Sequence, residues 1–256
     1  MKKIMNKTLF NNTKLSDQEV QLIIDEYGET SADKFFNEIN KINDGILVDL
    51  GVCDGFSSRL MLEKCLENNN LIAAVDINTR FTSDNSHWNY INYDSAYVGE
   101  HWEDKKVDIV FFDTVHVKEQ VLTETYYWWD HIKEGGLAVY HDTSWHGYRH
   151  HARHRAAGKQ PGSSRQGFDR YGGIDWDTPD RAVETFFNVN LNPPERDINN
   201  DSFVDIYEDD YIKVEQNWAF LGLTIVKKKK HFDYKDNQNI DWENVFERRK
   251  LLLSHL

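Results

Sequence analysis

Cysteine is scarce in this chain: Cys53 and Cys65 are the only two among its 256 residues. Two cysteines do not make a disulfide framework, so we expect reduced thiols and a cytoplasmic protein. Long apolar runs are missing as well, and none approaches the roughly 20 residues that span a bilayer. The first twelve residues, MKKIMNKTLFNN, contain lysines but not the apolar stretch that a secretory signal needs.

Basic residues are outnumbered, with 30 Lys and Arg against 43 Asp and Glu and a formal net charge of −13. This balance argues against nucleic acid or an anionic membrane as a partner. No repeat and no Pro/Ser-rich linker divides the chain. We therefore predict one domain over residues 1–256, with an N-terminal helical cap over 1–44 at the edge of the core. An amphipathic C-terminal helix over 241–256 either packs back on the domain or joins a second copy in a homo-oligomer.

Residues 45–62, GILVDLGVCDGFSSRLML, predict a buried strand, a glycine turn and a helix. Such a turn brings backbone N–H groups and a helix N-terminus to a ligand. The same pattern also occurs in an ordinary strand–helix connection that binds nothing. The pattern is D-x-G-x-x-x-G, with Asp49, Gly51 and Gly55 at its fixed positions. Because a carboxylate at Asp49 would repel a pyrophosphate, it suits an amine or hydroxyl donor better.

From this turn onward, predicted strands and helices alternate, which indicates an α/β fold with a mostly parallel sheet covered on both faces. Ligands of such sheets lie off the carboxyl ends of the strands. Acidic residues or histidine follow the predicted strands at this edge: Asp49, Asp76, Asp94, Asp113 and His141-Asp142. The sequence therefore predicts a binding site along this edge.

Two of these positions indicate a nucleoside. Asp76 comes 21 residues after Gly55, close to the spacing at which an acidic residue takes ribose hydroxyls. A strand-end cap is the alternative for Asp76. Asp94 and Ser95 could hydrogen-bond an adenine edge or could form a solvated turn.

The stretches VDLGVCDG, AAVDI, NYDS, VDIVFFDTVH and EGGLAVYHD together resemble the successive motifs of class I S-adenosylmethionine (SAM)-dependent methyltransferases. The chain is most similar to the bacterial branch that acts on sugars and natural products, including macrolide-sugar O-methyltransferases and the cephalosporin-hydroxylase-like group. That branch carries Asp-Gly-x-His where this chain has Asp113 to His116, so Thr114 departs from the usual glycine. The resemblance implies a Rossmann-like sheet with an antiparallel edge hairpin.

The resemblance also implies roles by position. Asp49, Gly51 and Gly55 would hold the methionine end of SAM, Asp76 its ribose, and Asp94 with Ser95 its adenine. Asp113 would lie near the sulfonium and the acceptor. A methyl transfer depends mostly on alignment, and His116 or His141 would serve as a general base unless both are hydrogen-bonded structural residues.

Some relatives use a divalent cation to bind acceptor oxygens. Asp113, His141 and Asp142 could supply ligands for Mg²⁺ or Mn²⁺ here. The chain has one carboxylate fewer than an Asp-Asp pair at 141–142, which counts against that site.

Residues 144–172 form a basic segment in an acidic chain, with arginines that include Arg149, Arg153 and Arg155. Its place after the fifth strand predicts a lid that receives an anionic acceptor, with Asp142 beside it; a solvated loop is the alternative. We expect methylation of a hydroxyl on a small carbohydrate, such as a nucleotide-activated sugar. The competing hypotheses are a nicotinamide-dependent oxidoreductase and a non-catalytic adenosyl-binding module.

Overall fold

The computed structural model describes residues 13–103, 105–144, 178–191, 200–232, 234 and 239–255. The helices of this part are α1 Asp17–Tyr27, α2 Glu29–Ile39, α3 Phe56–Cys65, α4 Ser95–Glu100, α5 Lys118–Trp128, α6 Pro179–Phe187 and α7 Trp242–Leu253. The strands are β1 Ile46–Leu50, β2 Leu71–Val75, β3 Trp88–Ile91, β4 Val107–Phe112, β5 Ile132–His141, β6 Val204–Glu208, β7 Ile212–Asn217 and β8 Leu223–Lys228. None of these helices is long and apolar enough to cross a membrane.

One sheet of eight strands organises the described residues, in the order β3-β2-β1-β4-β5-β8-β7-β6. The first five strands pair in parallel, whereas β8, β7 and β6 pair antiparallel at one edge. The strand order reverses at β1, because the chain moves outward to β3 and then returns to β4. The predicted Rossmann-like α/β sheet with an antiparallel edge is confirmed.

Helices cover both faces of the sheet. On one face, α5, α6 and α7 bury Trp128, Phe186 and Val245 against the strands. On the other face, α1, α2 and α3 bury an apolar layer in which Phe35 stacks on Phe111 of β4 at 4.9 Å between ring centroids. The prediction that the N-terminal helices lie at the edge of the core is therefore wrong, since they pack on the face of the central strands.

Local signals explain how these N-terminal helices begin and end. Ser16 and Glu19 form the capping box at the start of α1, in which each residue bonds the backbone of the other. Gly28 ends α1 with a φ of +83°, a conformation that favours glycine, and α2 follows at once. The sharp turn places the end of α1 over the middle of the sheet.

Two elements differ from the sequence-based expectation. A Gly-Gly pair after a helical stretch predicts the end of that helix, but Gly135 and Gly136 lie inside β5, where the register with β4 shifts between Val107 and Ile109 and accommodates them as a bulge. The segment after β3 is also helical: α4 is a short helix capped by Asp94, where the sequence predicted no helix.

Candidate functional site

The glycine turn after β1 brings two strand ends together. Gly51 has a φ of +88°, and a Cβ there would collide with the backbone carbonyl of Asp113 at the end of β4. Gly55 has a φ of +77° and immediately precedes α3. Glycine is required at Gly51 both for its conformation and for this close approach. The turn therefore fixes the position of Asp113 relative to β1.

Asp49 is fully buried beneath this turn. Its two carboxylate oxygens accept hydrogen bonds from the hydroxyls of Ser57 and Ser58, at the start of α3. Burial raises the pKa of Asp49 to about 6, and the two serine hydroxyls oppose that rise. Asp49 thus ties β1 to α3. The two serines were missed by the sequence reasoning, although they lie one helical turn beyond the glycine motif.

Asp76 follows β2 and bonds two backbone amides. Its Oδ2 accepts from the N–H of Cys53 at 2.8 Å, and its Oδ1 accepts from the N–H of Asn78 at 2.7 Å. The first bond holds the glycine turn of β1 against the end of β2. Since a carboxylate oxygen can accept two hydrogen bonds, these contacts leave acceptor capacity on both oxygens.

Asp94 and Ser95 follow β3 and have different environments. Asp94 caps α4 by accepting from the N–H of Tyr97 at 2.8 Å, and it forms an ion pair with Arg249 of α7. Ser95 is buried, and its hydroxyl donates to Glu124 of α5. The predicted adenine-binding pair therefore contacts two helices that are distant in sequence.

Glu124 is the centre of a buried polar group that the sequence reasoning missed, which we call the buried network: Ser95, Thr114, Gln120 and Glu124. The Oε1 atom of Glu124 accepts from Gln120 at 2.7 Å and from Thr114 at 2.8 Å, and its Oε2 accepts from Thr114 at 3.0 Å. Burial raises the pKa of Glu124 to about 7, against the effect of these donors. Thr114, which stands where the similar bacterial branch has glycine, thus donates a hydrogen bond to Glu124.

A second group lies off the ends of β4 and β5, which we call the charged cluster: Asp113, His116, His141 and Asp142. The Nδ1 atom of His141 lies 3.1 Å from Asp113 Oδ1. The Nε2 atom of His116 lies 2.8 Å from Asp142 Oδ2 and 3.4 Å from Asp113 Oδ1. The sheet explains this arrangement, because Phe112 and Tyr140 are in register and the next residues of the two strands are Asp113 and His141.

Proton affinities in the charged cluster are strongly perturbed. Burial alone would lower the pKa of His141, but the charges of Asp113 and Asp142 outweigh it and raise that pKa to about 9. The same balance, with Asp142 as the larger influence, raises the pKa of His116 well above its usual range. The histidines in turn hold the pKa of Asp113 below its usual range despite burial. The cluster is thus a set of mutually stabilised charges.

Three atoms of the charged cluster are buried with no hydrogen-bond partner among the described residues: His141 Nε2, Asp142 Oδ1 and Asp142 Oδ2. The Oδ2 atom lies 2.8 Å from His116 Nε2 in an ion pair, which leaves His141 Nε2 and Asp142 Oδ1. Buried polar groups are almost always satisfied in folded proteins. These atoms are therefore candidates for contact with a ligand. Asp113, His141 and Asp142 also offer one ligand atom each within 4.8 Å of one another, a spacing that a cation could bridge.

Helix α1 contributes two further residues to this end of the site. The Tyr27 ring packs edge-on against the His141 imidazole, at 4.8 Å between centroids. Burial raises the pKa of the neighbouring Glu26, and the charges of the cluster act on it as well. The sequence reasoning missed both residues because it placed this helix at the edge of the core.

All of the basic segment except Ser144 lies in residues 145–177, outside the described part of the chain. Arg149, Arg153 and Arg155 belong to that range, so the lid prediction stays a prediction.

Residues 48–143 match a family model described as a methyltransferase domain. No curated protein is significantly similar to the chain. Among solved structures, the SAH-bound methyltransferase PaMTH1 of Podospora anserina is 12% identical, with a TM-score of 0.52 over 87% of this chain and 92% of that one. That likeness demonstrates a shared fold.

Two other solved structures are similar at lower scores. A putative caffeoyl-CoA O-methyltransferase from Staphylococcus aureus is 12% identical, with a TM-score of 0.47 over 85% of this chain and 87% of that one. The mycinamycin-pathway methyltransferase MycE, in complex with Mg, SAH and mycinamycin VI, is 15% identical with a TM-score of 0.44. The match covers 82% of this chain, which spans about half of the MycE chain (50%).

The family match begins in β1 and ends just beyond β5, so it includes the glycine turn and the residues that follow the five parallel strands. It favours a methyltransferase over a nicotinamide-dependent oxidoreductase. Residues 48–143 are therefore similar to a methyltransferase domain, and they are the part of the chain that carries the predicted SAM-binding residues.

Proposed function

We propose that this enzyme transfers the methyl group of SAM to a hydroxyl oxygen of a small carbohydrate acceptor. The observation that carries the proposal is the charged cluster, which combines two histidines with two carboxylates at the ends of β4 and β5. A sugar hydroxyl is a weak nucleophile, so a nearby base assists its attack on the sulfonium methyl.

His141 is the base that the geometry favours. Its Nδ1 faces Asp113, which orients the ring, while its buried Nε2 has no partner among the described residues. An imidazole oriented by a carboxylate on one nitrogen can take a proton on the other. His116 is the second candidate, since its side chain is 36% exposed and lies against both carboxylates. Alignment of acceptor and methyl group supplies most of the remaining rate enhancement.

The cofactor roles follow the strand ends. Gly51 and Gly55 would admit the methionine end of SAM, with Asp49 supporting the turn through Ser57 and Ser58. Asp76 would accept the ribose hydroxyls with the capacity that its two amide bonds leave. Asp94 and Ser95 would bind the adenine, and Asp113 would lie near the sulfonium, where a negative charge stabilises the cation.

An anionic acceptor is supported by charge contrast alone. Arg149, Arg153 and Arg155 belong to a basic segment in a chain of net charge −13. The planar fork of arginine suits phosphate, and a nucleotide-activated sugar carries such groups. The charged cluster would then receive the sugar hydroxyl while the basic segment receives the phosphates.

The test is to incubate the protein and SAM with a panel of acceptors that includes nucleotide sugars, uncharged sugars and nitrogen-containing compounds. SAH release and the mass of each acceptor are then measured. We expect SAH to form together with an acceptor heavier by one methyl substitution. Methylation of uncharged sugars in preference to nucleotide sugars would contradict the anionic acceptor. Methylation of nitrogen-containing acceptors alone would contradict the hydroxyl.

A divalent cation is the alternative use of Asp113, His141 and Asp142. Their ligand atoms are close enough to share one ion, and a cation bound there would bind acceptor oxygens and lower the pKa of a hydroxyl. The ion pairs favour a site without a metal ion, because His116 and His141 already neutralise the carboxylates that would bind it. Treatment with EDTA separates the two, since activity lost to EDTA and restored by Mg²⁺ or Mn²⁺ would make Asp113 and Asp142 ligands.

A further inference from the structure

Helix α7 reaches the predicted adenine site from the far end of the chain. It packs on α5 through aromatic contacts: Trp242 lies 4.6 Å and Phe246 lies 5.4 Å from the ring of Tyr126. Two consecutive arginines of α7 then bond residues on the first turn of α5. Arg248 pairs with Glu119 at 2.5 Å, and Arg249 donates to Gln120 at 2.9 Å.

The second arginine also reaches a residue beyond α5. The Nη2 atom of Arg249 also forms an ion pair with Oδ1 of Asp94, and the two side chains are 14% and 23% exposed. The same Oδ1 accepts the capping bond from Tyr97. The Oδ2 atom of Asp94 has no hydrogen-bond partner among the described residues. Arg249 thus fixes one oxygen of this carboxylate and leaves the other available.

We propose that Arg249 is a positioning residue for the cofactor, which holds the Asp94 carboxylate in the orientation that binds the adenine of SAM. The inference rests on the proposed role of Asp94. The physical reason is that a carboxylate fixed before binding loses less freedom when the ligand arrives. Arg249 is suited to this because a guanidinium can bond Gln120 and Asp94 at once with different nitrogens.

Arg248 provides a matched control. It has the same side chain, lies on the same helix and ties α7 to the same turn of α5, but its partner is Glu119 and not Asp94. If α7 served only to stabilise the fold, both arginines would have equal effects. If Arg249 positions Asp94, only its loss will change the affinity for SAM.

The experiment is calorimetric titration of SAM into the wild type and into five variants: Arg249→Gln, Arg249→Lys, Arg248→Gln, Asp94→Asn and the double variant Asp94→Asn/Arg249→Gln. We expect Arg249→Gln to raise the Kd for SAM by roughly three- to tenfold, the range for an indirect loss of one charge-assisted hydrogen bond. Arg248→Gln should lower the melting temperature as much as Arg249→Gln does, but it should leave the Kd for SAM within twofold of the wild-type value. Arg249→Lys should recover part of the affinity.

The double variant tests the route of the effect. Because Arg249 acts through Asp94, adding Arg249→Gln to Asp94→Asn should cost no further affinity. Equal Kd values for Arg249→Gln and Arg248→Gln, with Asp94→Asn weakened, would overturn the positioning role alone. An unchanged Kd in Asp94→Asn would overturn the adenine assignment itself and the inference with it. The maximal rate at saturating SAM should remain that of the wild type in both arginine variants.

Discussion

The charged cluster and the buried network lie at the same edge of the sheet and are linked by consecutive residues, Asp113 and Thr114, yet their hydrogen bonding differs. In the buried network, both oxygens of Glu124 accept from neutral donors. In the charged cluster, His141 Nε2 and Asp142 Oδ1 are buried without partners among the described residues. Buried polar groups with all their hydrogen bonds stabilise the fold, whereas buried polar atoms without a partner are available to bond a ligand. We therefore propose the cluster as the place of methyl transfer and the network as the support of Ser95 beside the proposed adenine site.

The largest expected effect comes from the proposed base. His141→Asn keeps a donor toward Asp113 but removes the basic nitrogen, so turnover should fall by about 10²-fold or more while the Kd for SAM is unchanged. His116→Ala is compared in the same assay at saturating SAM and acceptor. If neither substitution slows turnover, alignment alone drives the reaction and the base assignment is wrong.

The pH profile sharpens the same assignment. A base must be unprotonated, and the two carboxylates hold the pKa of His141 at about 9. The wild-type rate should therefore rise with pH toward 9, and His141→Asn should lose that rise. A profile that is flat from neutral pH to 9 in the wild type would contradict proton removal by this histidine.

The next effect concerns the cofactor. Asp76→Ala should weaken SAM binding by about 1.5–3 kcal/mol, the scale for a hydrogen bond to a charged group. Asp76→Asn, which retains one acceptor oxygen, should lose less. Circular dichroism provides the folding control, because Asp76 also bonds the glycine turn through Cys53. An unchanged Kd in folded Asp76→Ala would leave Asp76 as a strand-end cap only.

The buried network should affect the free energy of unfolding and the dependence of that free energy on pH. The folded pKa of Glu124, about 7, lies above its ordinary value of 4.5. Its contribution to stability is therefore fully present below pH 4.5 and lost as the pH rises through 7, by on the order of 2–3 kcal/mol. Urea unfolding at pH 5 and pH 8 should show a loss that is smaller by this amount in Glu124→Gln than in the wild type, because Asp49, with a pKa raised to about 6, titrates in the same window in both proteins. Parallel losses in both proteins would mean that Glu124 is not the titrating group.

The smallest effect is expected from the basic segment. Replacing Arg149, Arg153 and Arg155 with glutamine should raise the acceptor KM several-fold, more at low salt than at high salt, because salt screens exposed charges. The Kd for SAM should stay as in the wild type. An acceptor KM indifferent to both the substitutions and the salt concentration would remove the support for an anionic acceptor.

Much of the fold was predictable from short-range signals. The capping box at Ser16, the glycines at 51 and 55 and the apolar strands each specify local structure, and parallel pairing then gathers the strand ends at one edge. Asp113 and His141 were predicted to lie at that edge, and the register of β4 and β5 brings them within 3.1 Å.

The missed residues depend on contacts between distant segments. Glu26 and Tyr27 reach the charged cluster only because α1 packs on the face of the sheet. Glu124 looks like an ordinary helix residue until Thr114 and Ser95 converge on it. Arg249 lies in an amphipathic helix whose docking site the sequence left open between this domain and a second subunit. Such placements depend on tertiary packing, which periodicity does not encode.

The most direct test of the separate roles of His141 in methyl transfer and Arg249 in cofactor positioning is to measure the maximal rate and the Kd for SAM in both His141→Asn and Arg249→Gln. We expect His141→Asn to lower the maximal rate and keep the Kd for SAM, whereas Arg249→Gln should keep the maximal rate and raise the Kd. Two variants that change the same parameter in the same direction would contradict these separate roles.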